Sequence, residues 1–142
     1  MKIRLLMLGK SRRPELRAVF DDYVTRVGHV CPIEITEVRD EVAALKRLDA
    51  DKAATVILLD AAGKNHDSNT LAKWLGEQRD RGTREIIFLC GDADGFPDAL
   101  RERAHQKLSL SAMTFSHELA RVMLAEQLYR AFAILSGSPY PK

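Results

Sequence analysis

Two runs in this chain, Thr55–Asp60 (TVILLD) and Glu85–Cys90 (EIIFLC), are apolar with no alternation. A strand with one wet face alternates apolar and polar residues, whereas an unbroken run has both faces covered. Such strands lie in the middle of a sheet with helices on either side. Further strand-like runs stand at Ile3–Leu8, Ile33–Val38 and Lys107–Ser111. Helical patterns occupy Pro14–Val27, Glu41–Asp49, Thr70–Arg81 and Pro97–His105, with a last one over Glu118–Leu135. Ser68 or Asn69 offers a cap for the third helix, and Pro97 suits the start of the fourth. This alternation predicts an α/β layer fold, a mainly parallel sheet flanked by helices. No repeat, low-complexity segment or linker interrupts the pattern, so residues 1–142 read as a single domain.

The chain is long enough to bury a real core, and 46% hydrophobic with 30% charged residues is ordinary for a globular protein. The first residues lack a secretory pattern, and the apolar runs fall far short of the ~20 residues that cross a bilayer. The expected location is the cytoplasm, with no membrane partner. A net charge of +2 argues against a polycationic nucleic-acid binder. Lys2, Arg4, Lys10, Arg12, Arg13 and Arg17 nevertheless crowd the first eighteen residues, opposed there only by Glu15. They read as one phosphate-facing patch or as a solvated helix with its approach loop. Cys31 and Cys90 have no metal-ligand spacing and read as reduced, partly buried thiols.

The apolar strands end in polar or glycine-bearing turns, Asp60–Gly63, Gly91–Gly95 and Ser109–Ser116. Ligands of open α/β sheets gather at the carboxyl ends of strands, so the loops nominate one pocket, unless the glycines merely make turns. The turn from Ser109 to Thr114 offers hydroxyls and backbone N–H groups to an anion, a ribose or an adenine edge. His117 is a base or a structural histidine bonding that turn. Arg130 is an ordinary ion-pair partner of Glu126, four residues away, or an arginine aimed at a phosphate or base. Tyr140 stacks on a nucleobase or docks back on the core. Asp92-Ala93-Asp94-Gly95 lacks the other oxygen ligands of a calcium loop, so no metal is expected. The last helix carries apolar residues all round its axis, which points to a second subunit, a two-fold homodimer, or else to a core helix of a monomer.

Taken together, LDAAGK (Leu59–Lys64), FLCGDADG (Phe88–Gly95), LSLSAMTFSHELAR (Leu108–Arg121), EQLYRA (Glu126–Ala131) and the Pro139-Tyr140 tail resemble the ribosomal RNA large subunit methyltransferase H family. That family is a minimal branch of the SPOUT class. The resemblance implies an S-adenosylmethionine-dependent enzyme that methylates N3 of a pseudouridine in 23S ribosomal RNA. It also implies a homodimer and a C-terminal deep trefoil knot, which periodicity could not suggest. By position it implies a cofactor pocket of Leu59, Gly91, Leu110, Ser111, Ala112, Met113, Thr114 and Phe115, with Arg130 and Tyr140 as catalytic residues near the target base. The low net charge favours the assembled ribosome as substrate. Two positions depart from the family pattern, Asp92 in place of a glycine and Pro141 in place of a histidine. They motivate an alternative, a ribosome- or cofactor-binding homologue with weak or no catalysis.

Overall fold

The computed structural model describes residues 1–92 and 95–140. In chain order the elements are β1 (Lys2–Leu8), α1 (Pro14–Gly28), β2 (Ile33–Val38), α2 (Glu41–Asp49), β3 (Thr55–Asn65), α3 (Ser68–Asp80), β4 (Glu85–Cys90), α4 (Asp98–Arg103), β5 (Gln106–Ser109) and α5 (His117–Ser136). The strands lie in the order β2-β1-β4-β3-β5, and every pairing is parallel. The expected parallel sheet flanked by helices is therefore what the chain forms.

The two unbroken apolar runs account for this layering. β4 is buried at every residue, and Val56, Ile57 and Leu58 of β3 are buried beside it. Side chains alternate between the faces of the sheet. Ile3, Leu5, Met7, Ile57, Ile86 and Phe88 pack with apolar residues of α1, α3 and α5. Leu6, Leu8, Val56, Leu58, Ile87 and Leu89 pack with α2 and α4 through Ala44, Leu48 and Leu100. Helices cover both faces, so neither face needs polar residues.

Several boundaries differ from expectation for identifiable reasons. β3 continues past Asp60 to Asn65 because β5 pairs with it twice: Leu108 is the partner of Leu59 and again of Lys64. The residues between form a bulge. Gly63 returns so close to β5 that a Cβ there would sit 2.8 Å from the Lys107 carbonyl carbon. The cap of α3 is Asp67, not Ser68 or Asn69; its carboxylate accepts from the Thr70 N–H at 2.7 Å. α5 ends at Gly137, whose left-handed φ of 73° lets Gly137 and Ser138 donate to carbonyls of the last turn.

The N-terminal basic residues do not form one patch. Lys2 pairs with Glu34, and Arg4 with Glu34 and Glu85, at the start of β1. Lys10, Arg12 and Arg13 follow the other end of that strand, ~20 Å away at about 3.3 Å per residue. Cys31 and Cys90 are free and buried.

Candidate active site

The carboxyl ends of β3, β4 and β5 open on one edge of the sheet, where their loops enclose a cleft of about 370 Å³. That lies at the small end of the range for ligand pockets. Leu59, Gly91, Leu110, Ser111, Met113, Thr114 and Phe115 line it; Ala112, in the same turn, does not. Gly91 sits in a tight place: a Cβ there would meet the Gly95 carbonyl and the Phe96 ring, each at 3.2 Å, and would have to push them back.

The turn leading to α5 organises itself through its own hydroxyls. Ser109 Oγ donates to the Ser111 carbonyl at 2.8 Å, and Ser111 Oγ accepts from the Met113 N–H at 3.0 Å. Two of the three hydroxyls are thus engaged within the turn rather than offered outward. Ser116 caps α5 by accepting from the Leu119 N–H. His117 lines the cleft, and among the described residues no hydrogen bond ties its ring to the turn.

Sequence reasoning missed Asp60, Phe96 and Arg101, which also line the cleft. The Arg101 guanidinium lies 2.6 Å from the Asp60 carboxylate. The Ala62 N–H and then Arg101 hold the Asp60 carboxyl below its ordinary range, against the opposing effect of burial. Asp60 at the end of TVILLD was visible as a turn former, but nothing local announces a partner beyond the next strand. Cys90 faces the same cleft, and burial pushes its thiol up to about 12. Asp92 stands on the cleft wall. Ala93, Asp94 and Pro141 lie outside the described residues, so the acidic turn and the position after Tyr140 are not placed. Among the described residues, no group of three or more metal-binding side chains gathers.

Arg130 and Tyr140 are brought to each other but not to this cleft. α5 advances ~1.5 Å per residue, so Arg130 lies about 20 Å along the helix from His117. Glu126 accepts from Arg130 Nε at 3.1 Å, and this bond raises the guanidinium pKa. The Tyr140 ring meets Tyr129 edge-on at 4.7 Å, with the Arg130 guanidinium 5.4 Å from its centroid. Its hydroxyl lies 3.4 Å from Glu126 and 3.5 Å from the Tyr23 hydroxyl. Burial, then Tyr23 and the Glu126 carboxylate, raise the Tyr140 pKa, so the phenol stays protonated near neutral pH. Tyr23 and Tyr129 are the residues missed here: a tyrosine in an amphipathic pattern reads as ordinary packing.

α5 is buried along one side through Leu124, Ala125, Leu128 and Ala131. The other side is open: Leu119, Met123 and Ile134 are 40%, 41% and 37% exposed. At about 100° per residue these three and Arg130 fall in one narrow stripe.

The model of the predicted SPOUT methyltransferases matches residues 1–141. Among similar proteins, the ribosomal RNA large subunit methyltransferase H of Pelobacter propionicus is 43% identical, with 99% of each chain covered. That of Solibacter usitatus is 44% identical over the same shares. The SpoU methyltransferase AviRb from Streptomyces viridochromogenes, solved in complex with AdoMet, superposes with a TM-score of 0.53 at 12% identity. That match covers 90% of this chain and 56% of the neighbour's. A second structure of the same protein gives 0.58, covering 96% and 61%. At that identity the likeness speaks for the fold, while the full-length relatives speak for descent. This chain belongs to the SPOUT methyltransferases and, among them, to the ribosomal RNA large subunit methyltransferase H family.

Proposed function

We propose that this protein transfers a methyl group from S-adenosylmethionine to N3 of a pseudouridine in 23S ribosomal RNA, acting as a cytoplasmic, single-domain homodimer on the assembled ribosome. The observation that carries the reading is the cleft at three adjoining strand ends, in a chain matched end to end by relatives of that name. Leu59, Phe96, Leu110 and Phe115 give it apolar walls, and Asp92 and the Asp60–Arg101 ion pair add charged groups. That mixture fits a ligand with an apolar body, hydroxyls and positive charge. Leu59, Gly91 and residues 110–115 would hold the cofactor, Ala112 through its backbone.

When bound, S-adenosylmethionine supplies an electrophilic methyl on a sulfonium, a charge that is lost on transfer. The apolar walls would keep water from the bound cofactor, and the cleft would orient it toward the base. Orientation of this kind is worth about 7–11 kcal/mol of barrier. Arg130, steadied by Glu126, would stabilise negative charge on the base as its N3 proton passes to solvent water. Tyr140 acts as a donor to the base rather than as a proton acceptor, because its phenol is held protonated.

The gap of about 20 Å between Arg130 and the cleft of its own chain favours a dimer in which each subunit's Arg130 and Tyr140 serve the other's cofactor. The exposed stripe of Leu119, Met123 and Ile134, which includes Arg130, supports that arrangement. The trefoil knot implied by the resemblance belongs to the same reading. Its support is the end-to-end match to relatives of that family.

The test is incubation with labelled S-adenosylmethionine and ribosomes from a strain lacking the modification. Label is expected in 23S RNA; cofactor binding without transfer would favour a binding homologue instead. Arg130→Ala is expected to lower methyl transfer by about a hundredfold with little change in cofactor affinity. Equal loss of both would make Arg130 a structural residue.

A further inference from the structure

One side of the first turn of α5 meets the cleft through His117 and Ala120. Its other side grips the loop that leaves β1. The Glu118 carboxylate accepts from the backbone N–H groups of Arg12 and Arg13, at 2.7 and 3.0 Å. Arg121 donates to the carbonyls of Leu8 and Gly9, at 2.7 and 3.3 Å, and to Ser11 Oγ at 3.0 Å. The loop is therefore fixed at both ends by residues more than a hundred positions away.

Arg121 is only 1% exposed and forms no direct ion pair with a carboxylate among the described residues, while its Nε has no hydrogen-bond partner there. Burying a cation is costly, and the nearby carboxylates of Glu37, Glu118 and Asp92 offset only part of that cost; simple core filling would favour an apolar side chain. What the clamp secures is a loop whose side chains face solvent: Lys10, Arg12 and Arg13 are all exposed. Arg13 is engaged by Glu15 at 2.9 Å, whereas Lys10 and Arg12 have no ion-pair partner among the described residues. The loop also borders the cleft. Met7 is in register with Cys90, and a Cβ on Gly9 would lie 3.7 Å from that of Asp92.

We propose that Glu118 and Arg121 are positioning residues that hold the Gly9–Arg13 loop beside the cleft so that Lys10 and Arg12 grip backbone phosphates flanking the target base. This rests on the ribosomal RNA reading above and adds the surface by which RNA is held. A pre-ordered loop does not lose its conformational freedom when RNA arrives. It also compensates for a chain whose net charge is only +2.

The experiment measures co-sedimentation with ribosomes across a salt series, alongside calorimetric binding of S-adenosylmethionine, for the parent and three variants. Lys10→Ala/Arg12→Ala changes only solvent-facing groups. Ribosome affinity is expected to fall about tenfold and its log–log salt slope to flatten by ~1–2, with cofactor affinity retained. Glu118→Ala, which keeps both cations, is expected to weaken ribosome binding as well. Glu118→Gln is expected to restore it, because the amide oxygen still accepts from both N–H groups. An unchanged salt slope in the double variant would overturn the proposal, as would a Glu118→Ala variant that loses cofactor and ribosome affinity equally. A parent that shows the slope yet transfers no methyl defeats the methylation reading while supporting the loop.

Discussion

At the scale of single residues, space and charge act at different places. Gly63 and Gly76 both lie in regular elements, but only Gly63 faces backbone, where a Cβ would come within 2.8 Å of the Lys107 carbonyl carbon. At Gly76 the nearest atom is the tip of Leu135, at 3.0 Å, which can rotate away. Gly63→Ala is expected to cost about 1–3 kcal/mol and Gly76→Ala less than about 1, a difference visible in urea melts; equal losses would contradict the close approach. Charge dominates at Glu118, where the Arg13 and Arg12 N–H groups hold the carboxyl below its ordinary value of 4.5. A depressed folded-state pKa means the contribution is full above the unfolded value and is lost as pH falls through the folded one. The stability gap between the parent and Glu118→Gln should therefore shrink as pH drops below 4.5. Thermal melts down the acid series check this, and a constant gap would mean that the carboxylate's charge contributes nothing.

At the scale of elements, α5 combines a buried side, a cleft-facing first turn and an exposed apolar stripe. The sequence pattern, apolar all round, told that the helix needs cover on every side, and one chain covers only part of it. Met123→Lys places a charge in the middle of the stripe without touching the core. It is expected to yield monomers by sedimentation and to abolish methyl transfer while leaving the melting temperature of the monomeric fold nearly unchanged. A persistent dimer would move the interface elsewhere. β3 shows the limit of reading elements from sequence. Its apolar half, TVILLD, was evident because both faces are covered, but its continuation to Asn65 depends on a second pairing with β5. No local pattern encodes a partner strand. The Asp67 cap was missed for a simpler reason: Ser68 and Asn69 are equally good cap formers, and only the geometry selects among them.

At the scale of the molecule, the alternation of strands and helices was enough to predict a parallel layer fold, and unbroken apolarity identified β3 and β4 as interior. The order of strands was not legible, because β1, β3 and β4 are similarly apolar and any could neighbour any other. The strand ends pointed to the cleft, while the tyrosine cluster joining α1 to the tail came only from packing. The same topology has a kinetic consequence. The ladder between partners nearest in sequence joins Ile3 to Ile33, and the ladder between β1 and β4 joins Lys2 to Glu85. With no hairpin in the sheet, loop-closure entropy precedes every pairing, so refolding is expected to be slower than about a millisecond. Stopped-flow dilution from urea measures this, and a microsecond phase that restores the full signal would contradict it.

β4 lies between β1 and β3, and α5 covers the face that β1 shares with both. During synthesis, then, β1 emerges and can pair with β2 while its other neighbour, β4, is still unmade, and the face lined by α1 and α3 stays incompletely covered until α5 has cleared the exit tunnel. The nascent chain offers chaperones a partly open apolar face until then. A protein whose relatives are named for the large ribosomal subunit completes its fold only once α5 has emerged from one.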